Sequence, residues 1–309
     1  MATKTTLKPR NFEINSKHEA ALRASILCAK PVLLVSETGC GKTTIIKGIA
    51  EEVGKTVHRV SLNGTTGIEE VVGKWLVKDG STYWQDGILS QAMRNGDWIV
   101  FDEINAALPE ILFCLHSVLD DARALTIVEK NSEVLLAHDE FRFFATMNPT
   151  EDYAGTKDLN KALFSRFACV IEIDPPTTEM ENKILCQFHG VQESHAVTLI
   201  LLAQSLRKLK SDEKIIYFCS TRDLIYAGNL AAHIPLDQAI KYSICGKMTK
   251  EEIELVPDLK KLVANTKYTT IAEILETNGV MCAQAVQLEL ENKNLKEIVE
   301  TLRQSIVHE

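Results

Sequence analysis

"LLVSETGCGKTTII", residues 33–46, is an apolar run that breaks into a glycine-bearing loop and closes on Lys42 and Thr43. A buried strand, such a loop and then a helix form the setting in which backbone N–H groups converge on a phosphate. The helix N-terminus adds partial positive charge there. The pattern G-x-x-x-x-G-K-[ST] asks for glycine at position 36, where this chain has Ser36. The residues closest to a phosphate are the later ones, and Gly39, Cys40, Gly41, Lys42 and Thr43 are all in place. Gly39 and Gly41 leave the backbone free to approach. Lys42 is placed to reach the β- and γ-phosphates, and Thr43 to offer its hydroxyl to Mg²⁺. Ser36 falls where the strand ends, so it narrows the turn without removing a phosphate donor. Glu37, Thr38 and Thr44 complete the set expected to line the nucleotide. The competing reading is a glycine-rich turn that happens to precede Lys-Thr.

The flanking sequence carries the same pattern outward. "SKHEAALRASILCA" opens on an S-x-x-E capping box at Ser16 and Glu19 and predicts an amphipathic helix ended by Pro31. "PVLLVS" (31–36), "TVHRVSL" (56–62), "DWIVFDE" (97–103), "FRFFATM" (141–147) and "CVIEID" (169–174) read as strands. "GKTTIIKGIAEEVG", closed by Gly54, and "PEILFCLHSVLDD", with Pro109 in its first turn, read as helices between them. Apolar strands alternating with helices predict a parallel sheet covered on both faces. After Pro175-Pro176 the strand signal ends. "TTEMENKILCQFHG", "HAVTLILLAQSLRKLK", "TRDLIYAGNLAAHI" and a run from about 283 to 307 read as helices, although residues 236–309 fit no specific pattern. The expected division is an α/β domain over 1–175 and a helical region over 176–309.

Composition excludes several classes. The 309 residues, 45% apolar and 25% charged, suit one large or two modest soluble domains. A formal net charge of −8 gives no general attraction to nucleic acid or anionic membrane. The eight cysteines are scattered, without a C-x-x-C pair, and read as reduced thiols in a cytoplasmic protein. The histidines show no metal-ligand spacing. No apolar stretch is long enough to span a membrane, and "MATKTTLKPR" has no apolar core of a secretory signal.

"WIVFDE" ends an apolar strand on two acids, at the end of a parallel sheet where ligands bind. Asp102 is positioned for the Mg²⁺ shell, and Glu103 to polarise an attacking water as general base. A solvated pair at a strand end is the alternative. Here the chain resembles the AAA+ ATPases, within them the MoxR and dynein-related (midasin-like) group. "DGILSQAMRNGDWIVFDEINAALPEILFCLHSVLDD", "AHDEFRFFATMNP" and "YAGTKDLNKALFSRF" carry the resemblance, which runs from about 16 to 235. It implies a five-stranded P-loop sheet of order 5-1-4-3-2 followed by a small helical lid. It implies that Asn148 senses the γ-phosphate and lytic water, that Arg166 is an arginine finger for a neighbouring subunit, and that Arg222 is a second sensor in the lid. Without it, Asn148 reads as a turn residue before Pro149, Arg166 as a helix-terminal charge, and Arg222 as a surface charge or a partner of Asp223.

Two hairpins are expected. "VVGKWLVKDGSTYWQDG" turns at Asp79-Gly80, and "ALTIVEKNSEVLLAH" turns at Lys130-Asn131-Ser132. In the resembled group both face the ring's pore or a partner, so Trp75, Tyr83 and Trp84 are candidate contacts; packing within the hairpin competes. The resemblance implies an ATP- and Mg²⁺-dependent ATPase in a homo-oligomeric, hexameric ring. Such a machine remodels or activates a protein partner, often one with a von Willebrand factor A domain. The alternatives are the motor subunit of a metal chelatase, an McrB-like nucleic-acid-associated GTPase, which the acidic balance disfavours, and a module that binds ATP without turnover.

Overall fold

The computed structural model describes residues 12, 14, 16–149, 159–256 and 259. The expected C-terminal helical run, the N-terminal segment before residue 12 and part of the stretch leading to Arg166 lie outside them. The chain divides into two compact units, at Met180 and Glu181.

In the first unit, α1 (Ser16–Leu27) leads into β1 (Val32–Val35), α2 (Lys42–Glu52) and β2 (Val57–Ser61). A short α3 (Ile68–Val71), the hairpin β3 (Gly73–Lys78) and β4 (Ser81–Asp86), and α4 (Ile88–Asn95) precede β5 (Trp98–Asp102). Then follow α5 (Pro109–Leu119), the hairpin β6 (Ala124–Ile127) and β7 (Glu133–Leu136), β8 (Arg142–Met147), α6 (Lys161–Phe164) and β9 (Cys169–Glu172). The sheet is β2-β5-β8-β1-β9, all parallel. Counting only its own strands in chain order, that is 5-1-4-3-2, the expected order.

Strand period sorts the apolar side chains into two cores. Leu33, Ile99, Phe101, Phe143 and Ala145 face the side covered by α3, α4 and α5, while Val32, Leu34, Trp98, Val100 and Phe144 face α1 and α2. Central β5 is buried along its whole length and edge strand β2 is not. That contrast is why the first reads as a continuous apolar run and the second as an alternation.

Both hairpins are formed. Asp79 and Gly80 both take positive φ, 50° and 77°, the backbone a two-residue turn requires. Asn131 and Ser132 do the same at the second tip, at 53° and 56°.

The second unit is helical over its described residues, with α7 (Thr178–Lys183) crossing the division. A π-helical turn (Ile184–Phe188), α8 (Glu193–Ser211), α9 (Thr221–Ala231), α10 (Leu236–Ser243) and α11 (Lys250–Glu254) follow. Its own core gathers Leu199, Ala203, Leu206, Leu224, Ala227 and Ile240. Among the described residues no helix is long and apolar enough to cross a membrane.

Candidate nucleotide site

The loop between β1 and α2 is shaped by its two glycines. Gly39 and Gly41 sit at φ 86° and 88°, where a side chain strains the backbone. Gly41 is the N-cap of α2, and no side chain caps that end, so its first N–H groups are left for a ligand. Ser36 leaves this loop intact. It continues the ladder through its N–H to the Met147 carbonyl (3.3 Å), its side chain is buried, and its hydroxyl turns to the Glu37 carbonyl (3.0 Å). Glu37 and Gly39 are half-buried, Thr38 is exposed, Cys40 is buried, and Thr44 is half-buried in the first turn of α2.

Lys42 folds back over the loop. Its ammonium donates to the carbonyls of Ser36 (2.6 Å) and Glu37 (3.2 Å) and to Asn148 Oδ1 (2.8 Å). All three acceptors are uncharged. Burial therefore pushes this ammonium down from 10.5 to about 8, only partly opposed by acidic groups farther off. A cation held by neutral acceptors in a glycine loop is an anion site by its chemistry. Because a lysine only donates, the bond also orients the amide of buried Asn148, turning its NH₂ away from Lys42.

One residue on, the Thr43 hydroxyl donates to Asp102 Oδ1 (2.9 Å), joining α2 to the end of β5. Buried Asp102 takes a second hydroxyl on the same oxygen from Thr146 of β8 (2.9 Å), and the guanidinium of Arg59 on β2 pairs with its other oxygen, Oδ2. Glu103 is exposed and adopts a left-handed backbone (φ 58°, ψ 46°), which turns the chain sharply out of the strand. That conformation costs a non-glycine residue about 1–2 kcal/mol. Its N–H reaches toward the Thr146 hydroxyl at 3.4 Å. The hydroxyl of Thr43 and the carboxylate of Asp102 are hard oxygen donors, which suits Mg²⁺ completed by phosphate oxygens and water.

The structure thus gathers Lys42, Thr43, Asp102 and Asn148 through direct bonds, with Glu103 adjoining. Within the same unit, Arg166 is bonded elsewhere. Arg166, just past α6, bonds Asp120 Oδ1 (2.7 Å) and the carbonyls of His116 (3.2 Å) and Ala162 (2.6 Å). Arg222 lies in the second unit, exposed in the first turn of α9, with no hydrogen bond or ion pair among the described residues. Asp223, its sequence neighbour, is taken by the Ser220 cap and by Lys247. Sequence reasoning missed Arg59, Thr146 and Asp120. Thr146 had a signal, since it lies near the end of β8, two residues before Asn148.

The profile of the family described as AAA domain (dynein-related subfamily) matches residues 31–167, which contain this whole cluster. That described as CbbQ/NirQ/NorQ C-terminal matches 181–266. Protein NorQ of Paracoccus denitrificans is 31% identical over 76% of this chain and 85% of its own. The chain belongs to this family of AAA ATPases. Protein CbbQ of Hydrogenophilus thermoluteolus is 34% identical over 65% of this chain and 73% of its own. Midasin of Dictyostelium discoideum is 36% identical over 57% of this chain, which spans 3% of midasin's length. A putative ATPase of Cytophaga hutchinsonii aligns at 16% identity and a TM-score of 0.47, over 86% of this chain and 89% of that one.

Proposed function

We propose that this AAA ATPase binds ATP with Mg²⁺ at the β1–α2 loop and hydrolyses it in a homo-oligomeric, hexameric ring. The cycle remodels or activates a partner protein, one carrying or acting through a von Willebrand factor A domain. The observation that carries this reading is the Lys42–Asn148 and Thr43–Asp102 pairing. A lysine ammonium held by neutral acceptors, a threonine hydroxyl and a carboxylate around one glycine loop support it. Bound magnesium would neutralise charge on the β- and γ-phosphate oxygens, with Thr43 and Asp102 holding its shell.

In this reading Lys42 grips the outer phosphates, and Glu103 accepts the proton of the attacking water. Asn148, its oxygen fixed by Lys42, donates its NH₂ to the γ-phosphate or that water. Arg166 leaves Asp120 to stabilise charge at a neighbouring subunit's site, a contribution of about 10³–10⁵ in kcat for such fingers. Arg222, which has no hydrogen bond or ion pair among the described residues, senses the phosphate from the helical region that begins near residue 176. The name "denitrification regulatory protein" borne by the NirQ relative of Pseudomonas aeruginosa supports a regulatory target. We place the protein in the cytoplasm, a reading that the scattered cysteines, without a C-x-x-C pair, support.

The test is a pair of variants. Lys42→Ala should lose both nucleotide binding and turnover. Glu103→Gln should keep binding, lose turnover and accumulate ATP-bound rings, sized by light scattering. Proteins retained on those rings identify the partner. Unaltered turnover in Lys42→Ala, or retention of DNA alone, overturns the proposal.

A further inference from the structure

Asp102 is almost wholly buried, so its charge needs compensation inside the protein. Two neutral hydroxyls, of Thr43 and Thr146, share Oδ1. Among the described residues, the one full positive charge bonded to it is the guanidinium of Arg59, on Oδ2. The topology brings this about. Edge strand β2 pairs with β5 so that Ser61 lies opposite Asp102 and Arg59 opposite Val100. Arg59 therefore shares the face of Asp102 two residues back, and its side chain runs along the strand to the carboxylate. That side chain is 52% exposed, against 6% for Asp102. Beyond an edge strand lies solvent, so the guanidinium has somewhere to go.

A hydrated divalent cation beside Thr43 approaches Asp102 through lone pairs that Oδ1 has already committed to hydroxyls. Oδ2 is the oxygen left, and Arg59 holds it. We propose that Arg59 is a positioning residue that acts as the empty site's counter-ion. It pairs with Asp102 and orients its carboxylate without nucleotide, then yields Oδ2 when the metal–nucleotide complex binds. Arg59 thereby competes with the cation and sets the Mg²⁺ concentration the protein needs. This inference rests on the ATP–Mg²⁺ reading above.

The experiment uses the full chain and reads binding, not turnover. A fluorescent, non-hydrolysable ATP analogue is held at fixed concentration and MgCl₂ is titrated, with anisotropy as the signal. Arg59→Met, which keeps length and removes charge, should lower the Mg²⁺ midpoint about threefold to fivefold, the upper end of what a half-exposed ion pair contributes. Arg59→Gln should shift it in the same direction, which guards against one variant failing to fold. Arg59→Lys should stay within about twofold of the parent, and binding in EDTA should be the same in all four proteins. Neutral variants whose midpoint is unchanged or raised overturn the inference, because Arg59 then does not compete with the metal. A parent that binds no nucleotide at any Mg²⁺ concentration defeats the ATPase reading instead.

Discussion

Lys42 and Asn148, 106 residues apart in the chain, meet side chain to side chain at 2.8 Å. The contact exists because β1 and β8 are neighbours in the sheet, with Val35 opposite Met147. It leaves the Lys42 ammonium with neutral acceptors alone, and burial lowers it to about 8. A triphosphate binds the ammonium and not the amine. Nucleotide affinity should therefore hold steady below about pH 8 and weaken about tenfold per unit above it, until the raised value of the bound state is reached. Lys42→Arg, always charged, should show no such fall. The sign for folding is opposite: the unfolded lysine keeps its proton to near 10.5, so the nucleotide-free chain should gain stability as pH rises from about 8 toward that value. Titrations of a fluorescent ATP analogue from pH 6.5 to 9.5 check the first expectation, and a flat parent profile would contradict it.

Arg166 is held in its own chain by Asp120 in a partly exposed pair. Such pairs contribute about 0–1 kcal/mol, so a phosphate can recruit the guanidinium at small cost. Arg166→Ala should lower turnover about 10³-fold while leaving nucleotide affinity within about twofold. Mixing decides whether it acts across subunits. Neither Lys42→Ala nor Arg166→Ala alone should turn over ATP. Mixed rings should recover activity, because an intact Lys42 site then meets an intact Arg166 from its neighbour. Mixtures as inactive as the separate variants would place the arginine in cis, or outside the reaction.

What the sequence discloses depends on how local the cause is. Central strands β5 and β8 announce themselves because both faces are buried, and Asp79-Gly80 because a tight hairpin needs left-handed backbone at both positions. The order of the strands is not in any periodicity; it was available only through the resemblance carried by the Asp102 and Asn148 regions. Arg59 stayed hidden for a physical reason. On an alternating strand it reads as one more solvated charge, and only the pairing of β2 with β5 puts it on a buried carboxylate. Asp120 is similar: its bond to Arg166 spans 46 residues, and no spacing rule connects them. The short α3, α10 and α11 escaped because one or two turns carry too little pattern to separate from loop.

In the helical unit, Glu181 is 1% exposed and receives both Nη1 (2.9 Å) and Nη2 (2.7 Å) of Arg207, together with the Thr221 hydroxyl (2.6 Å). Thr221 is the first residue of α9, so this carboxylate ties α8 to the turn that displays Arg222. Glu181→Ala removes the two-pronged carboxylate from the largely buried Arg207 and should cost about 3–5 kcal/mol. Glu181→Gln, which keeps an acceptor, should cost less. Urea unfolding followed by circular dichroism checks both, and an alanine variant within about 1 kcal/mol of the parent would show that the network is dispensable.

The two hairpins are bonded to each other and not only to the sheet. The Trp75 indole of β3 donates to the carbonyl of Glu129, at the tip between β6 and β7 (2.9 Å). Arg94 of α4 bridges Asp86, at the end of β4 (2.7 Å), to Glu133 of β7 (2.5 Å). Trp84 lies edge-on to Trp75 with centroids 5.6 Å apart and bonds Asp86, contacts of the packing within the hairpin that competes with a partner role. Val77 and Tyr83 remain exposed on the first hairpin, as do Val128 and Val134 on the second. The indole bond and the arginine bridge are contacts through which a displacement of one hairpin would reach the other. Trp75→Phe keeps most of the ring packing and removes the donor. Combined with Arg94→Ala it should raise amide exchange across 124–137 while nucleotide affinity stays at the parent's value, since neither residue touches the β1–α2 loop. Exchange that rises only across 73–86, the first hairpin itself, would show that the second is held by its own contacts and that the pair does not move as one.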